Sequence, residues 1–199
     1  MNDTPEKILA VVASHLLTPS MVAVGVFVGL GWNSGGQWSA VAIGVLFYCI
    51  IPGTVLVCLK RLGCIDEFYP SERSRRAPLL VLGACFYFLG VPALYLSDAP
   101  HIMLAAGAVF LGNAVLAWIV NRRWKISIHA VGVGAGVGVL IGGGGTVFWP
   151  VVVTLPVVGW ARWTLNCHSV MQLASGASIG SISAWSALSA AREIHRIIF

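Results

Sequence analysis

Seven apolar runs, covering approximately 18–33, 37–59, 78–96, 101–120, 127–142, 146–160 and 169–190, leave little of this chain for anything else. A helix needs about 20 apolar residues to cross the hydrocarbon layer of a bilayer, so most of these runs read as membrane spans. The chain is 58% hydrophobic and 10% charged with a mean hydropathy of +0.88. Soluble domains carry roughly a quarter of their residues as charges, which excludes an ordinary water-soluble fold. The expected architecture is all-α: a polytopic transmembrane bundle of six to seven spans, forming one integral membrane domain over residues 1–199. The run at 146–160 is the short one, and Pro150 and Pro156 predict a kink or tilt in it.

Ahead of the first run, residues 5–17 have the pattern of a short amphipathic helix that breaks at Thr18-Pro19. The first 20 residues have two acids, no basic stretch and no small-residue cleavage pattern, and they read as retained rather than as a signal peptide. The five cysteines, at 49, 58, 64, 85 and 167, have no CxxC or Cys/His ligand spacing. They read as packing residues, with no metal site and no cofactor expected.

Alternating the runs across a bilayer puts the N-terminus, 60–77, 121–126 and 160–168 on one face. Ten of the twelve Lys and Arg lie there: Lys7, Lys60, Arg61, Arg73, Arg75, Arg76, Arg122, Arg123, Lys125 and Arg162, against Arg192 and Arg196 opposite. The positive-inside rule makes that face cytoplasmic, in what reads as a bacterial or archaeal cell membrane. Arg122 and Arg123 read as topology determinants, and Asp66 and Glu72 as partners for neighbouring arginines. No nucleic acid is implied.

Three stretches of this face carry chemistry: "DEFYPSERSRRAP" (66–78), "RRWKISIHAVG" (122–132) and "WARWTLNCHSVMQLASGASIG" (160–180). Guanidinium forks bind phosphate oxygens bidentately, and an imidazole can attack phosphorus or move a proton to a leaving oxygen. Arginines and histidines converging at a membrane boundary therefore suit a phosphorylated lipid.

The third stretch resembles the last signature of the type 2 phosphatidic acid phosphatase superfamily, SRxxxxxHxxxD, with Arg162, His168 and Gln172 at matching spacing. Ala161 replaces the serine, and Gln172 the aspartate. Ser127-Ile128-His129 is similar to the end of the PSGH signature, and Arg76-Ala77-Pro78 to part of KxxxxxxRP, with Tyr69 where the lysine belongs. The resemblance, over residues 60–185, implies a phosphatase-like core and a phospholipid or isoprenoid phosphate or diphosphate as substrate. It implies His168 as nucleophile, His129 as proton donor, Gln172 as the orienting group and Arg162 as phosphate ligand. Arg76, Arg73, Lys125 and Ser127 are further candidates for the phosphate. A carboxylate stabilises an imidazolium by its charge, whereas a glutamine oxygen can only fix the tautomer. The alternative is therefore a degenerate relative that binds anionic lipid, or serves as a structural subunit of a membrane complex or a homo-oligomer, without turnover.

Gly132, Gly134, Gly136 and Gly138, and the pair Gly176/Gly180, read as small-residue contact stripes of two closely packed helices. A dinucleotide-binding loop does not fit, because Val137 breaks the GxGxxG register. Packing those stripes together would bring His129 and His168, at the starts of the two helices, near each other. His15, His101 and His195 fall in none of these motifs and carry no functional expectation.

Overall fold

A computed structural model describes residues 4–68, 70 and 72–198, with the side chains of Arg73 and of 191–198, like Tyr69 and Ser71, outside the described residues. These residues form helices joined by short turns, and no strand. In chain order they are α1 (Pro5–Leu16), α2 (Pro19–Asn33), α3 (Trp38–Arg61), α4 (Arg73–Leu96), α5 (His101–Asn121) and α6 (Ile128–Gly144). A 3-10 segment (Thr146–Val153), α7 (Thr154–Thr164) and α8 (Val170–Ile198) follow. Their bounds follow the apolar runs to within a few residues, except that α4 begins ahead of its run, at Arg73, and α8 continues past its run to Ile198.

Local chemistry sets the breaks. Thr18 caps α2 by accepting from the Met21 amide at 3.3 Å, and Pro19 occupies the first helical position, where its missing N–H costs nothing. Within α3, residues Leu46–Ile50 form a π turn in which the Ile51 amide reaches back to the Leu46 carbonyl. Pro52 follows and has no N–H to offer the Tyr48 carbonyl, so the ladder slips by one residue there. Gly145, at φ +87°, ends α6 with a backbone conformation that side-chain-bearing residues rarely adopt. The expected distortion of 146–160 takes the form of the 3-10 segment, with Pro150 inside it.

Three helices, Trp38–Arg61, Ser74–Leu96 and His101–Asn121, are long and apolar enough to cross a membrane. The pair α1 and α2, bent by 56°, counts as a fourth if taken as one broken span. α6 is apolar but has only 17 residues. The molecule is thus an all-helical protein with several helices suited to an integral membrane location.

α6 and α8 make the most extensive helix contact in the fold. Their glycines explain how: a Cβ built on Gly134 would strike the Ala177 carbonyl, and one on Gly180 the Val131 carbonyl. The backbones touch directly, as small residues at helix crossings permit. The Ser127 amide also donates to the Gln172 carbonyl at 3.4 Å, which ties the start of α6 to the first turn of α8. A separate aromatic cluster joins α2, α3, α4 and α5, with Phe27 and Tyr87 at 5.0 and 4.7 Å from the ring of Tyr48. The Tyr48 hydroxyl donates to the Tyr87 carbonyl at 3.1 Å, which satisfies a fully buried polar atom.

Candidate active site

The six-residue interval between Arg162 and His168 is a helix stop. α7 ends at Thr164, and Asn166 takes the left-handed conformation at φ +52°, which asparagine tolerates better than most residues. The Cys167 amide returns to the Arg162 carbonyl at 3.0 Å, and the Asn166 amide to the Trp163 carbonyl at 2.8 Å. This reciprocal pair is the Schellman pattern, which satisfies carbonyls that the helix end would leave bare. Arg162 therefore sits in the last turn of α7, where the helix dipole favours a cation. His168 stands just beyond the turn, ahead of α8.

His168, Gln172 and Ser169 form a compact unit. Nδ1 of His168 lies 3.1 Å from Oε1 of Gln172, one turn further along. An amide oxygen only accepts, so Nδ1 carries the proton and Nε2 keeps its lone pair. The same Oε1 accepts from the Ser169 amide at 3.2 Å, while the Ser169 hydroxyl faces the Gln172 amide at 3.4 Å. The helix thus opens with a capping box built around the same glutamine.

His129 is the second residue of α6, whose start is capped by Ser127 accepting from the Ala130 amide at 3.4 Å. Both residues are buried. Arg76, in the first turn of α4, donates from Nε to the Pro70 carbonyl and from Nη1 to the Ile126 carbonyl at 3.4 Å. It therefore bridges the 62–72 linker and the approach to α6.

Arg76, His129, Arg162 and His168, from four separate segments, line one cavity of about 140 Å³. Its remaining wall is mostly apolar, with Leu56, Leu80, Tyr87, Phe110 and Ala117 among its residues. Of the other candidates, Gln172 is bonded to a lining residue. Lys125 lies close enough that Arg76 and Arg162 help push its ammonium pKa down, after burial as the main cause. Ser127 is fully buried as a helix cap and is not among the lining residues. The Arg73 side chain lies outside the described residues.

Among the described residues, no carboxylate compensates the charge at the site. Arg75 pairs with Asp66 at 2.7 Å and Glu72 at 3.1 Å on the surface, as the sequence suggested for those two acids. Arg76 and Arg162, 5% and 7% exposed, have no carboxylate partner among the described residues, and Nε of Arg162 is buried without any hydrogen-bond acceptor. Buried charges without partners are costly unless something else neutralises them. Moreover, Arg76 lies at the positive end of its helix dipole, where a cation is disfavoured. An anionic ligand would answer both. The imidazole of His168 is lowered to about 4, chiefly by burial and further by Arg76, Arg162 and Lys125, with the Gln172 hydrogen bond opposing. It is neutral at pH 7, with the lone pair of Nε2 unprotonated.

The sequence reading missed Ser14. Its hydroxyl accepts from Nη1 of Arg162 at 2.9 Å, from the far end of the chain. A lone serine opposite the apolar side of the 5–16 helix is the signal that was available. Asn113 was also missed: it lines the apolar part of the cavity, and its side chain is held by the Val109 carbonyl at 2.9 Å and the Ser183 hydroxyl at 3.0 Å. Comparison of the chain with protein-family models, curated proteins and solved structures found no match.

Proposed function

We propose that this protein is a membrane-embedded lipid phosphatase with a core like that of the type 2 phosphatidic acid phosphatases, acting through a phosphohistidine. The observation that carries the proposal is the convergence of two histidines and two arginines, without a carboxylate partner among the described residues, on one cavity whose remaining wall is mostly apolar. That combination suits a phosphoryl group attached to a hydrocarbon chain, whether phospholipid or isoprenoid.

In this reading Arg76 and Arg162 hold the non-bridging oxygens. The negative charge of the bound phosphoryl group favours the imidazolium form of His129; Nε2 of His168 attacks phosphorus, the bond to the lipid oxygen breaks, and the His129 imidazolium delivers its proton to that oxygen. Water then attacks phosphorus, giving a proton back to His129, and the P–N bond breaks to release phosphate. Gln172 holds the Nδ1–H throughout but adds no negative charge, so turnover is slow beside that of a carboxylate-supported histidine.

The site also supports the count of spans. Arg162 ends the 146–164 segment and meets His129, which begins α6, so this segment runs back along the length of α6. With α2, α3, α4, α5, α6, the 146–164 segment and α8 all crossing, the chain has seven spans. The arginine-bearing face is then cytoplasmic by its charge excess.

A second reading is favoured by the capping box. Gln172 is fully accounted for as an N-terminal cap of α8, a job that needs no reaction, and a lipid-phosphate-binding protein without turnover would keep it. Phosphate release from lipid phosphates by the purified protein, with chelator present, separates the two. Hydrolysis is expected for the wild type, loss of it for His168→Ala, a gain for Gln172→Asp and a decrease for Gln172→Leu. Tight binding of lipid phosphate with no release by any of the four would leave the binding reading standing.

A further inference from the structure

The arginine of α7 is held in place from the opposite end of the chain. Ser14 and Arg162, 148 positions apart, are both buried and share a hydrogen bond of 2.9 Å. α1 packs along α7 more extensively than along α2, its neighbour in sequence. The two residues that α1 buries are Ala10 and Ser14, one turn apart on a single face. Its other side exposes Ile8, Leu9, Val12 and Leu16, a surface suited to lipid. The helix thus presents apolar side chains outward and one hydroxyl inward, to the cation that lines the cavity. Directly after the bend, Pro19 and Ser20 line the same cavity.

We propose that Ser14 is a positioning residue for the anion site, acting through Arg162. A guanidinium has five N–H donors in a rigid plane. Ser14 takes one of them, at Nη1, and so fixes the orientation of the fork, leaving other donors of this cavity-lining residue for a phosphoryl oxygen. Serine suits the task because its hydroxyl oxygen accepts without bringing a negative charge. A carboxylate there would satisfy Arg162 outright and compete with the ligand. The inference rests on Arg162 being a phosphate ligand and extends that reading to the N-terminal helix.

The test is binding of inorganic phosphate to the full-length protein in detergent micelles, with KM and kcat for a lipid phosphate measured alongside. Losing a hydrogen bond to a charged group should weaken phosphate binding of Ser14→Ala about tenfold, and KM should rise by a similar factor while kcat changes less than about twofold. Ser14→Thr, which keeps the hydroxyl, should stay within about twofold of the wild type. Should Ser14→Ala fail to fold, Ser14→Cys, close in size and a weak acceptor, is expected to show the same loss. Wild-type affinity in Ser14→Ala or Ser14→Cys would overturn the proposal, as would equal loss in Ser14→Ala and Ser14→Thr, since packing alone would then explain the effect. A wild type that binds no phosphate would overturn the reading of Arg162, and this inference with it. Phosphate binding without lipid hydrolysis would sink the hydrolase reading alone and leave Ser14 to be judged by affinity.

Discussion

The cavity has two walls built on opposite principles. On the histidine side, α6 and α8 meet through backbone, with glycines at the crossing and a main-chain hydrogen bond from Ser127 to Gln172. On the cation side, Arg76 reaches across from α4 and is held by two carbonyls belonging to other segments. The first wall sets the separation of His129 and His168 by helix packing, which cannot change by a fraction of an ångström without moving whole helices. The second sets its charge with the side chains of Arg76 and Arg162, each oriented by hydrogen bonds to other segments. One wall is thus placed by backbone packing and the other by side-chain hydrogen bonds, and both set their groups around the cavity before a ligand enters.

The largest way to break this comparison is to force the histidine wall apart. In Gly180→Val the new side chain meets the Val131 carbonyl, and overpacking of this kind costs roughly 1–3 kcal/mol. The unfolding temperature in detergent should fall and phosphate release with it. Gly83, by contrast, lines the cavity from α4 with no atom within 4 Å of an added Cβ. Gly83→Ala should leave stability unchanged or raise it by up to about 1 kcal/mol, the helix propensity difference. Equal destabilisation by the two substitutions would remove the distinction between the walls.

A smaller effect compares adjacent arginines. Arg75 is exposed and paired with Asp66 and Glu72, and an exposed pair contributes about 0–1 kcal/mol. Arg76 is buried at the cavity with no carboxylate partner among the described residues. Arg76→Ala should therefore raise KM for a lipid phosphate by about 10- to 100-fold, the worth of a charge-assisted contact, while Arg75→Ala changes it less than about twofold. Similar values for both would place the binding cation elsewhere.

The smallest effect is one of protonation. An ordinary histidine is half charged near pH 6.5, whereas His168 is lowered to about 4 by burial and three neighbouring cations. A lowered folded pKa keeps the ring neutral as pH falls from 7 through 6.5, and protonation sets in only near 4. Ring-carbon NMR of the phosphate-free protein should show no titration of His168 between pH 7 and 5.5. A midpoint near 6.5 would mean that neither burial nor the cations act on this ring.

Much of this was legible in the sequence because it is local. Helix limits follow from apolar runs and from Thr18-Pro19, and the i,i+4 relation of His168 to Gln172 puts the two on one helix face. The glycine stripes foretold the α6–α8 contact because a missing Cβ has one obvious use in a membrane. Even the Arg162–His168 interval had its signal in Asn166, the residue that tolerates the left-handed turn. What stayed hidden is long-range. Nothing near Ser14 announces Arg162, since the contact exists only once α1 packs on α7. The π turn at Leu46–Ile50 depends on Pro52 breaking a ladder whose register the sequence alone leaves open. The number of spans also stayed open, because α6 is short and the segment after it begins as a 3-10 helix.

The central claim is that His168 becomes covalently phosphorylated. Incubating the purified protein with a lipid phosphate labelled in the phosphoryl group, quenching in alkali and mapping the labelled peptide by mass spectrometry tests this directly. The expected result is a phosphoryl group on His168, lost on acid treatment, absent from His168→Ala and, once formed, longer-lived in His129→Ala. Phosphate release from the wild type with no adduct on His168, or undiminished release from His168→Ala, would contradict the account.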